Sequence, residues 1–124
     1  MTITHEDLDQ FLEMGNLYRR NPQSSVVYTD GVKFMADEAD ADWLIDEIVS
    51  AQTRPRVAGE QFQTWSLKVE PSHEAVLTCS RAAPLDDDGR DDVVFKKRID
   101  YTDFPLDEVS LYCVRGTIML PNEY

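Results

Sequence analysis

The sequence predicts an α+β fold, in which N-terminal helices pack on one face of a C-terminal antiparallel sheet of about four to five strands. Three observations support this prediction. Residues 30–52 have helical composition and periodicity, residues 62–70 alternate between apolar and polar side chains, and Arg115-Gly116 separates two apolar segments as a hairpin turn does. A chain of 124 residues, 42% of them hydrophobic, is the size of one domain, which we expect to span residues 1–124.

The predicted first helix begins near the N-terminus. Thr4 is a suitable N-cap, and Gly15 is a suitable stop. The helix presents an apolar face to the core, formed by Leu8, Phe11 and Leu12. Residues 17–20 then favour a short strand, and residues 21–25 favour a loop.

Residues 30–52 predict two helices that are separated near Asp40. Thr29 or Asp30 can cap the first helix, and Asp40 can cap the second. Trp43 falls on the polar side of the second helix. An apolar arc on the opposite side is formed by Ala41, Leu44, Ile45, Ile48, Val49 and Ala51. Residues 54–59 contain proline and glycine and are interpreted as a linker.

The C-terminal half predicts strands at residues 62–70, 75–80, 93–101, 109–114 and 117–120. The third of them places Val93, Phe95, Ile99 and Tyr101 on one side, where Lys97 interrupts the apolar pattern. The acidic residues 86–92 are interpreted as a solvated loop.

The charge of the chain limits its partners. Twenty-four Asp and Glu residues against twelve Lys and Arg give a net charge of -12. Such a surface repels nucleic-acid phosphates and anionic lipids, so we expect no direct binding to nucleic acid or membrane unless a basic patch overrides it. The candidate basic patches are short and lie at residues 18–20, 54–56 and 96–98. The N-terminus has no secretory signal and no apolar run is long enough to span a membrane, which predicts a cytoplasmic protein.

The acidity is concentrated in the helical half. Residues 1–52 contain eleven acidic and three basic residues, a net charge of -8. The candidate binding residues form the densest cluster, which comprises Asp37, Glu38, Asp40, Asp42, Trp43, Asp46 and Glu47. On a continuous helix, Glu38, Asp42 and Asp46 rise by about 6 Å from one to the next, a spacing similar to that of nucleic-acid phosphates. The alternative is an ordinary solvated helix face.

Trp43 has two interpretations as well. It is either an exposed anchor ringed by charges, as protein interfaces favour, or a side chain that packs on a neighbouring strand or helix.

No catalytic or metal-binding pattern stands out in the sequence, so we expect a protein that is not an enzyme and needs no cofactor or metal. If Gly89 were the turn glycine of a calcium loop, Pro84 and Phe95 would take ligand positions, which excludes an EF-hand. His5 and His73 are the only histidines. Cys79 and Cys113 are too far apart for a metal knuckle and are interpreted as reduced and buried.

Several segments, in the right order over nearly the whole chain, resemble a family of small bacterial proteins that is a domain of unknown function often carried on plasmids, phages and other mobile elements. These segments are residues 28–34, Trp43-Leu44-Ile45-Asp46 with Gln52, Phe62-Gln63 with Trp65, residues 101–106 and residues 120–124. The resemblance implies no catalytic residues, cofactor or substrate. It implies a setting in which small acidic inhibitors of host defence are common. This chain departs from the family in its heavy acidity and in the acidic loop around Asp88.

We therefore expect a non-enzymatic acidic module that binds a basic nucleic-acid-binding protein, as a mobile-element inhibitor of a CRISPR effector or restriction enzyme by DNA or RNA mimicry. The alternative is a structural or dimerising domain, with a homodimer left open, whose acidity reflects solubility or a salty cytoplasm.

Overall fold

The computed structural model describes residues 4–9, 16–20, 22–80 and 93–123 of the chain. Helices and short strands occupy the N-terminal half, and longer strands occupy the C-terminal half. In chain order the elements are α1 (His5–Asp9), β1 (Leu17–Tyr18), β2 (Val27–Thr29), α2 (Asp30–Ala39), α3 (Asp42–Ala51), α4 (Pro55–Ala58), β3 (Phe62–Val69), β4 (Ala75–Ser80), β5 (Val93–Ile99), β6 (Glu108–Val114), β7 (Thr117–Met119) and a 3₁₀ helix (Pro121–Glu123).

The strands form one sheet in the order β1-β2-β7-β6-β3-β4-β5. The predicted α+β class is confirmed, but the sheet has seven strands among the described residues rather than four to five, and it is not wholly antiparallel. β2 pairs parallel to β7, with Val27 opposite Thr117. The short strand predicted at residues 17–20 is present as β1 (Leu17–Tyr18), whereas β2, with three residues, is too short to show the alternation by which a strand is recognised in a sequence.

One face of the sheet is buried by the helices. The burial alternates along β3 and β4, so that every second side chain enters the core. Trp65 of β3 is 1% exposed and anchors the centre of the sheet. The helix layer contributes side chains that are equally buried, namely Val32, Met35, Leu44, Ile45 and Ile48.

The junction of α2 and α3 lies at Asp40, as predicted, but its geometry differs from the prediction. Thr29 caps α2, since its hydroxyl accepts a hydrogen bond from the backbone of Val32 at 3.4 Å. Asp40 adopts a left-handed conformation (φ 56, ψ 45) that ends α2. Ala41 is the N-cap of α3 and makes no side-chain capping bond. The prediction that Asp40 caps α3 is therefore wrong, because its left-handed backbone makes it the C-cap of the preceding helix.

The predicted hairpin turn between β6 and β7 is confirmed. Arg115 (φ 51) and Gly116 (φ 86) both have positive φ, as a two-residue type I′ turn requires.

Other predictions held less completely. The linker contains α4, which Pro55 begins at a position where its missing N–H costs nothing. In β5, Val93 is 45% exposed and Tyr101, beyond the strand, is 62% exposed. Val93 lies outside the core because β5 is the edge strand and its pairing with β4 shifts register at Ser80, and Tyr101 follows the end of the strand at Ile99.

Some predictions lie outside the described residues: the helix positions Phe11, Leu12 and Gly15, and the loop at 86–92. Within the described ranges, no helix has the length and apolar character needed to cross a membrane.

Candidate functional site

The candidate acidic residues lie on two helices and on the junction between them. Asp37 and Glu38 are in the last turn of α2, Asp40 is at the junction, and α3 carries Asp42, Asp46 and Glu47. A row from Glu38 through Asp42 to Asp46 requires a helix that continues through Asp40. The left-handed residue there interrupts the helix, so the six-ångström spacing does not extend across the cluster.

Basic side chains that are remote in the sequence reach this cluster. Arg20 donates to Asp46 through two nitrogens at 2.9 and 3.0 Å, and it lies 3.5 Å from Asp42. The hydrogen bond to Asp46 is the main cause that raises the pKa of Arg20. Two further pairs are Lys33 with Asp37 and Lys97 with Glu47, each at 2.7 Å. Six carboxylates with three cations leave the cluster at about -3, half its charge in the sequence.

Glu38 and Asp40 are the members of the cluster that have no ion pair within the described part of the chain. The side chains of Asp37, Asp42 and Asp46 remain 53–55% exposed in spite of their ion pairs. Exposed ion pairs of this kind contribute about 0–1 kcal/mol, so a stronger cationic partner can replace the internal one.

Trp43 is half-buried and packs against the core, so it is neither a free anchor nor a core residue. Trp43 lines a groove of about 300 Å³ between the helix junction and the chain that follows β5. Asp40 lines the same groove, together with Tyr101 and Asp103. We call this set of four residues the aromatic-acidic groove.

The far wall of the aromatic-acidic groove is held in place by local hydrogen bonds. The hydroxyl of Tyr101 donates to Asp103 at 2.8 Å, and this bond is the main cause that raises the pKa of Tyr101. The ring of His73 lies 5.3 Å from that of Tyr101. The backbone of Thr102 donates to His73, at 2.9 Å. These contacts fix Tyr101 although its side chain is exposed.

Tyr101 and Asp103 were not among the candidate residues. The signal was present, since Tyr-Thr-Asp occurs at residues 28–30 and again at 101–103. The repeat is explained by structure at its first copy, where Thr29 caps α2. At its second copy, Thr102 also has a structural role, since its hydroxyl accepts a hydrogen bond from the backbone of Phe104 at 3.1 Å, while Tyr101 and Asp103 line the groove.

The composition of the aromatic-acidic groove suits a cation. The faces of Trp and Tyr rings attract ammonium and guanidinium groups, with about 0.5–2 kcal/mol for each contact. Asp40 and Asp103 supply negative charge at the same place. A Lys or Arg side chain is therefore the chemical group that fits this groove best.

Metal-ligand clusters and the two thiols were the remaining candidates for chemistry in the described part of the chain. It contains no set of three or more His, Cys, Asp or Glu side chains placed to hold a metal ion. Cys79 and Cys113 are free and buried, as predicted. Burial raises the pKa of Cys79 to about 12 and that of Cys113 to about 11. Both thiols are therefore protonated at neutral pH. The reactive form of cysteine is the thiolate, so neither thiol is in its reactive form.

The segments that carry the family resemblance contain buried polar side chains with structural roles. Glu123, 3% exposed, accepts hydrogen bonds from the Thr29 hydroxyl at 2.6 Å and from the backbone of Gly31 and Leu120 at 3.1 and 2.9 Å. A methyl group at Gly31 would stand 2.7 Å from the Glu123 carboxylate. The resemblance segments 28–34 and 120–124 thus meet at the start of α2 through these hydrogen bonds.

Gln63 forms a second buried network of the same kind. Its amide and that of Gln52 exchange two hydrogen bonds of 2.9 Å. Gln63 also donates to the carbonyl of Val57 at 2.9 Å and accepts from the Trp65 ring at 2.9 Å. This network joins α3, α4 and β3, which accounts for Gln52, Gln63 and Trp65 in the resemblance.

The two outer strands offer little for pairing with a second copy. β1 has only two residues, and β5 carries Lys96-Lys97-Arg98, the kind of charged edge that opposes strand addition. Exposed large apolar residues at these strands are Leu17 and Val93, which lie at opposite edges of the sheet.

Comparison with known proteins agrees with the resemblance noted in the sequence. No curated protein and no solved structure matches the chain. A family model matches residues 2–124, which is nearly the whole chain. The chain therefore belongs to the family of unknown function DUF6876.

Proposed function

We propose that this protein is a non-enzymatic binding module that captures a basic segment of another protein. The observation that carries the proposal is the aromatic-acidic groove, in which Trp43 and Tyr101 stand beside two carboxylates that make no ion pair within the described residues. A Lys or Arg side chain of the partner enters this groove. The exposed carboxylates of Asp42 and Asp46 then attract further basic groups.

The most specific form of the proposal concerns the partner. Proteins that bind nucleic acid present rows of Lys and Arg, and a surface of net charge -12 attracts such rows over a distance of about a Debye length. Mobile elements benefit from proteins that block CRISPR effectors or restriction enzymes. We therefore propose inhibition of such an enzyme by occupation of its basic channel, with the enzyme left chemically unchanged.

A DNA-cleavage assay tests this proposal directly. Purified CRISPR effectors and restriction enzymes are incubated with the protein before substrate is added, at 50 and 300 mM NaCl. We expect inhibition of at least one enzyme, weaker at the higher salt because the attraction is electrostatic. Inhibition should be lost on simultaneous reversal of Glu38, Asp42, Asp46 and Glu47 to Lys. Inhibition that persists after this reversal, or that is insensitive to salt, contradicts the mechanism.

A binding experiment tests the groove separately. An Arg- and Lys-containing peptide is titrated into the protein while tryptophan fluorescence is recorded, and an equally long peptide with Gln at the basic positions serves as its control. We expect Tyr101→Ala and the double variant Asp40→Asn/Asp103→Asn each to weaken binding of the basic peptide about tenfold. The control variant Glu70→Gln/Asp100→Asn makes the same charge change at exposed positions outside the groove and should bind as the wild type does. Equal losses in both double variants would mean that net charge, not the groove, accounts for binding.

A further inference from the structure

A second groove has the opposite charge to the rest of the molecule. It lies between the end of α3, α4 and the edge strand β5, and its volume is about 730 Å³, within the range of about 300–1,000 Å³ typical of small-molecule sites. Four cations line it, namely Arg54, Arg56, Lys96 and Lys97. The fold thus unites two short basic segments that are forty residues apart in the sequence. We call these four residues, with Phe95, the basic groove.

Most of these cations lack a carboxylate partner, although the protein has acidic residues in excess. Arg81 and Arg90 lie outside the described residues, which leaves ten of the twelve basic residues. Four of the ten form ion pairs with described carboxylates: Arg20, Lys33, Lys97 and Arg98. Three of the remaining six, Arg54, Arg56 and Lys96, gather at this single groove. Like charges held together at one concave site without internal compensation favour an anionic ligand.

The side chain of Arg54 is placed to donate hydrogen bonds in the basic groove. The guanidinium of Arg54 lies over the ring of Phe95 at 5.3 Å, so the ring covers its face while the N–H groups in its plane stay free to donate. Lys97 is held by Glu47 at 2.7 Å, which leaves Arg54, Arg56 and Lys96 to meet a ligand and gives the groove a net charge of about +3. Ser50 adds a hydroxyl to the lining.

We propose that the basic groove binds a small ligand that carries a di- or triphosphate group. Phosphate oxygens match the fork of an Arg side chain, and a charge of -2 to -4 complements the groove. A small ligand fits better than a nucleic-acid strand, because a strand would leave the groove and run onto a surface that belongs to a protein of net charge -12. This site is separate from the aromatic-acidic groove and does not depend on the function proposed for it.

Isothermal titration calorimetry with tripolyphosphate, ATP and AMP tests the proposal. In 50 mM NaCl, we expect tripolyphosphate and ATP to bind with dissociation constants below about 1 mM, and AMP to bind at least about tenfold more weakly. If ATP binds more than about tenfold more tightly than tripolyphosphate, the natural ligand is a nucleotide; equal affinities indicate recognition of the phosphate chain alone. Absence of binding by both overturns the proposal. A 12-nucleotide single strand that binds more tightly than either also overturns it, in favour of a nucleic-acid surface.

Two variants with equal net charge separate the groove from general electrostatics. Arg54→Gln/Arg56→Gln/Lys96→Gln should weaken tripolyphosphate binding more than about tenfold. Arg19→Gln/Lys68→Gln/Arg115→Gln removes three exposed cations that also lack ion pairs within the described residues, and it should retain wild-type affinity. Equal losses in the two variants overturn the site. If the first triple variant does not fold, the single variants Arg56→Gln and Lys96→Gln, at exposed positions, provide the same comparison against Lys68→Gln.

Discussion

At the scale of single residues, Glu123 joins three parts of the chain through one buried carboxylate. Its carboxylate accepts from Thr29, Gly31 and Leu120, and no cation neutralises it among the described residues. Glu123→Gln keeps the shape but turns an NH₂ group toward a backbone or hydroxyl donor, leaving one donor unpaired. We expect a loss of about 1–3 kcal/mol in the free energy of unfolding, measured by urea denaturation. Glu74→Gln, whose carboxylate makes an exposed ion pair with Arg98, is the control and should cost less than about 1 kcal/mol.

A substitution at Gly31 tests the contact between this residue and Glu123. Its added methyl group would meet the Glu123 carboxylate and Leu120, both at 2.7 Å, so Gly31→Ala should cost about 1–3 kcal/mol. In combination with Glu123→Ala, the cost of Gly31→Ala should fall, because one of the two obstructing groups is gone. Strict additivity of the two losses would mean that the two residues do not share this contact.

The burial of the two cysteines predicts how thiol reactivity and stability depend on pH. Because burial raises their pKa values to about 12 and 11, the folded protein holds both thiols in the neutral form. We expect reaction with Ellman's reagent at pH 8 to be at least about a hundredfold slower in the native protein than in 6 M guanidinium chloride, where two thiols per chain react. Folding favours the protonated thiols, so their contribution to stability is complete below pH ~9 and is lost as pH rises toward 12. Rapid modification of either thiol in the native state would contradict their burial.

At the scale of elements, the helix junction combines a stability cost with the binding role proposed above. Asp40 has a left-handed backbone, which glycine adopts without strain. Asp40→Gly should therefore raise the free energy of unfolding by about 0.5–1 kcal/mol while it removes a carboxylate from the aromatic-acidic groove. The expected result is a more stable protein that binds the basic peptide more weakly. Asp40→Ala shares the loss of charge without the backbone benefit and is the control; a less stable Asp40→Gly would refute the argument.

The elements also show what the sequence could and could not reveal. Strong local signals gave correct predictions: the alternation in β3, the Thr29 cap, the break at Asp40 and the Arg115-Gly116 turn. A strand was predicted at residues 17–20, but neither β1 nor β2 was predicted as a member of the sheet, because both are short and because β2 gains its partner, β7, from the far end of the chain. The candidate site had the same limitation. Asp37 to Glu47 is a cluster in sequence, but Arg20 and Lys97 reach it only through the fold, and so does Tyr101.

For the whole molecule, the question is whether net repulsion or the local ion pairs dominate the electrostatic free energy. The excess of twelve acidic over basic residues destabilises the compact state, whereas exposed ion pairs contribute about 0–1 kcal/mol each. Salt screens both the net repulsion and the ion pairs. The repulsion involves every acidic residue, so salt should weaken it more than it weakens the ion pairs. We therefore expect the Tm to rise by about 3–6 °C between 20 and 200 mM NaCl, which corresponds to roughly 1 kcal/mol.

Two variants of the same net charge identify the source of that change. Arg19→Gln and Arg20→Gln both bring the charge to -13, but of the two only Arg20 makes ion pairs with described residues, namely Asp42 and Asp46. If net repulsion dominates, both variants lower the Tm at 20 mM NaCl and most of the loss is recovered at 200 mM. At low salt, Arg20→Gln should lower the free energy of unfolding by a few tenths to about 1 kcal/mol more than Arg19→Gln does, because the repulsion between Asp42 and Asp46 is then uncompensated. A wild-type Tm that falls as salt is added would show instead that the ion pairs around α3 outweigh the charge of the molecule as a whole.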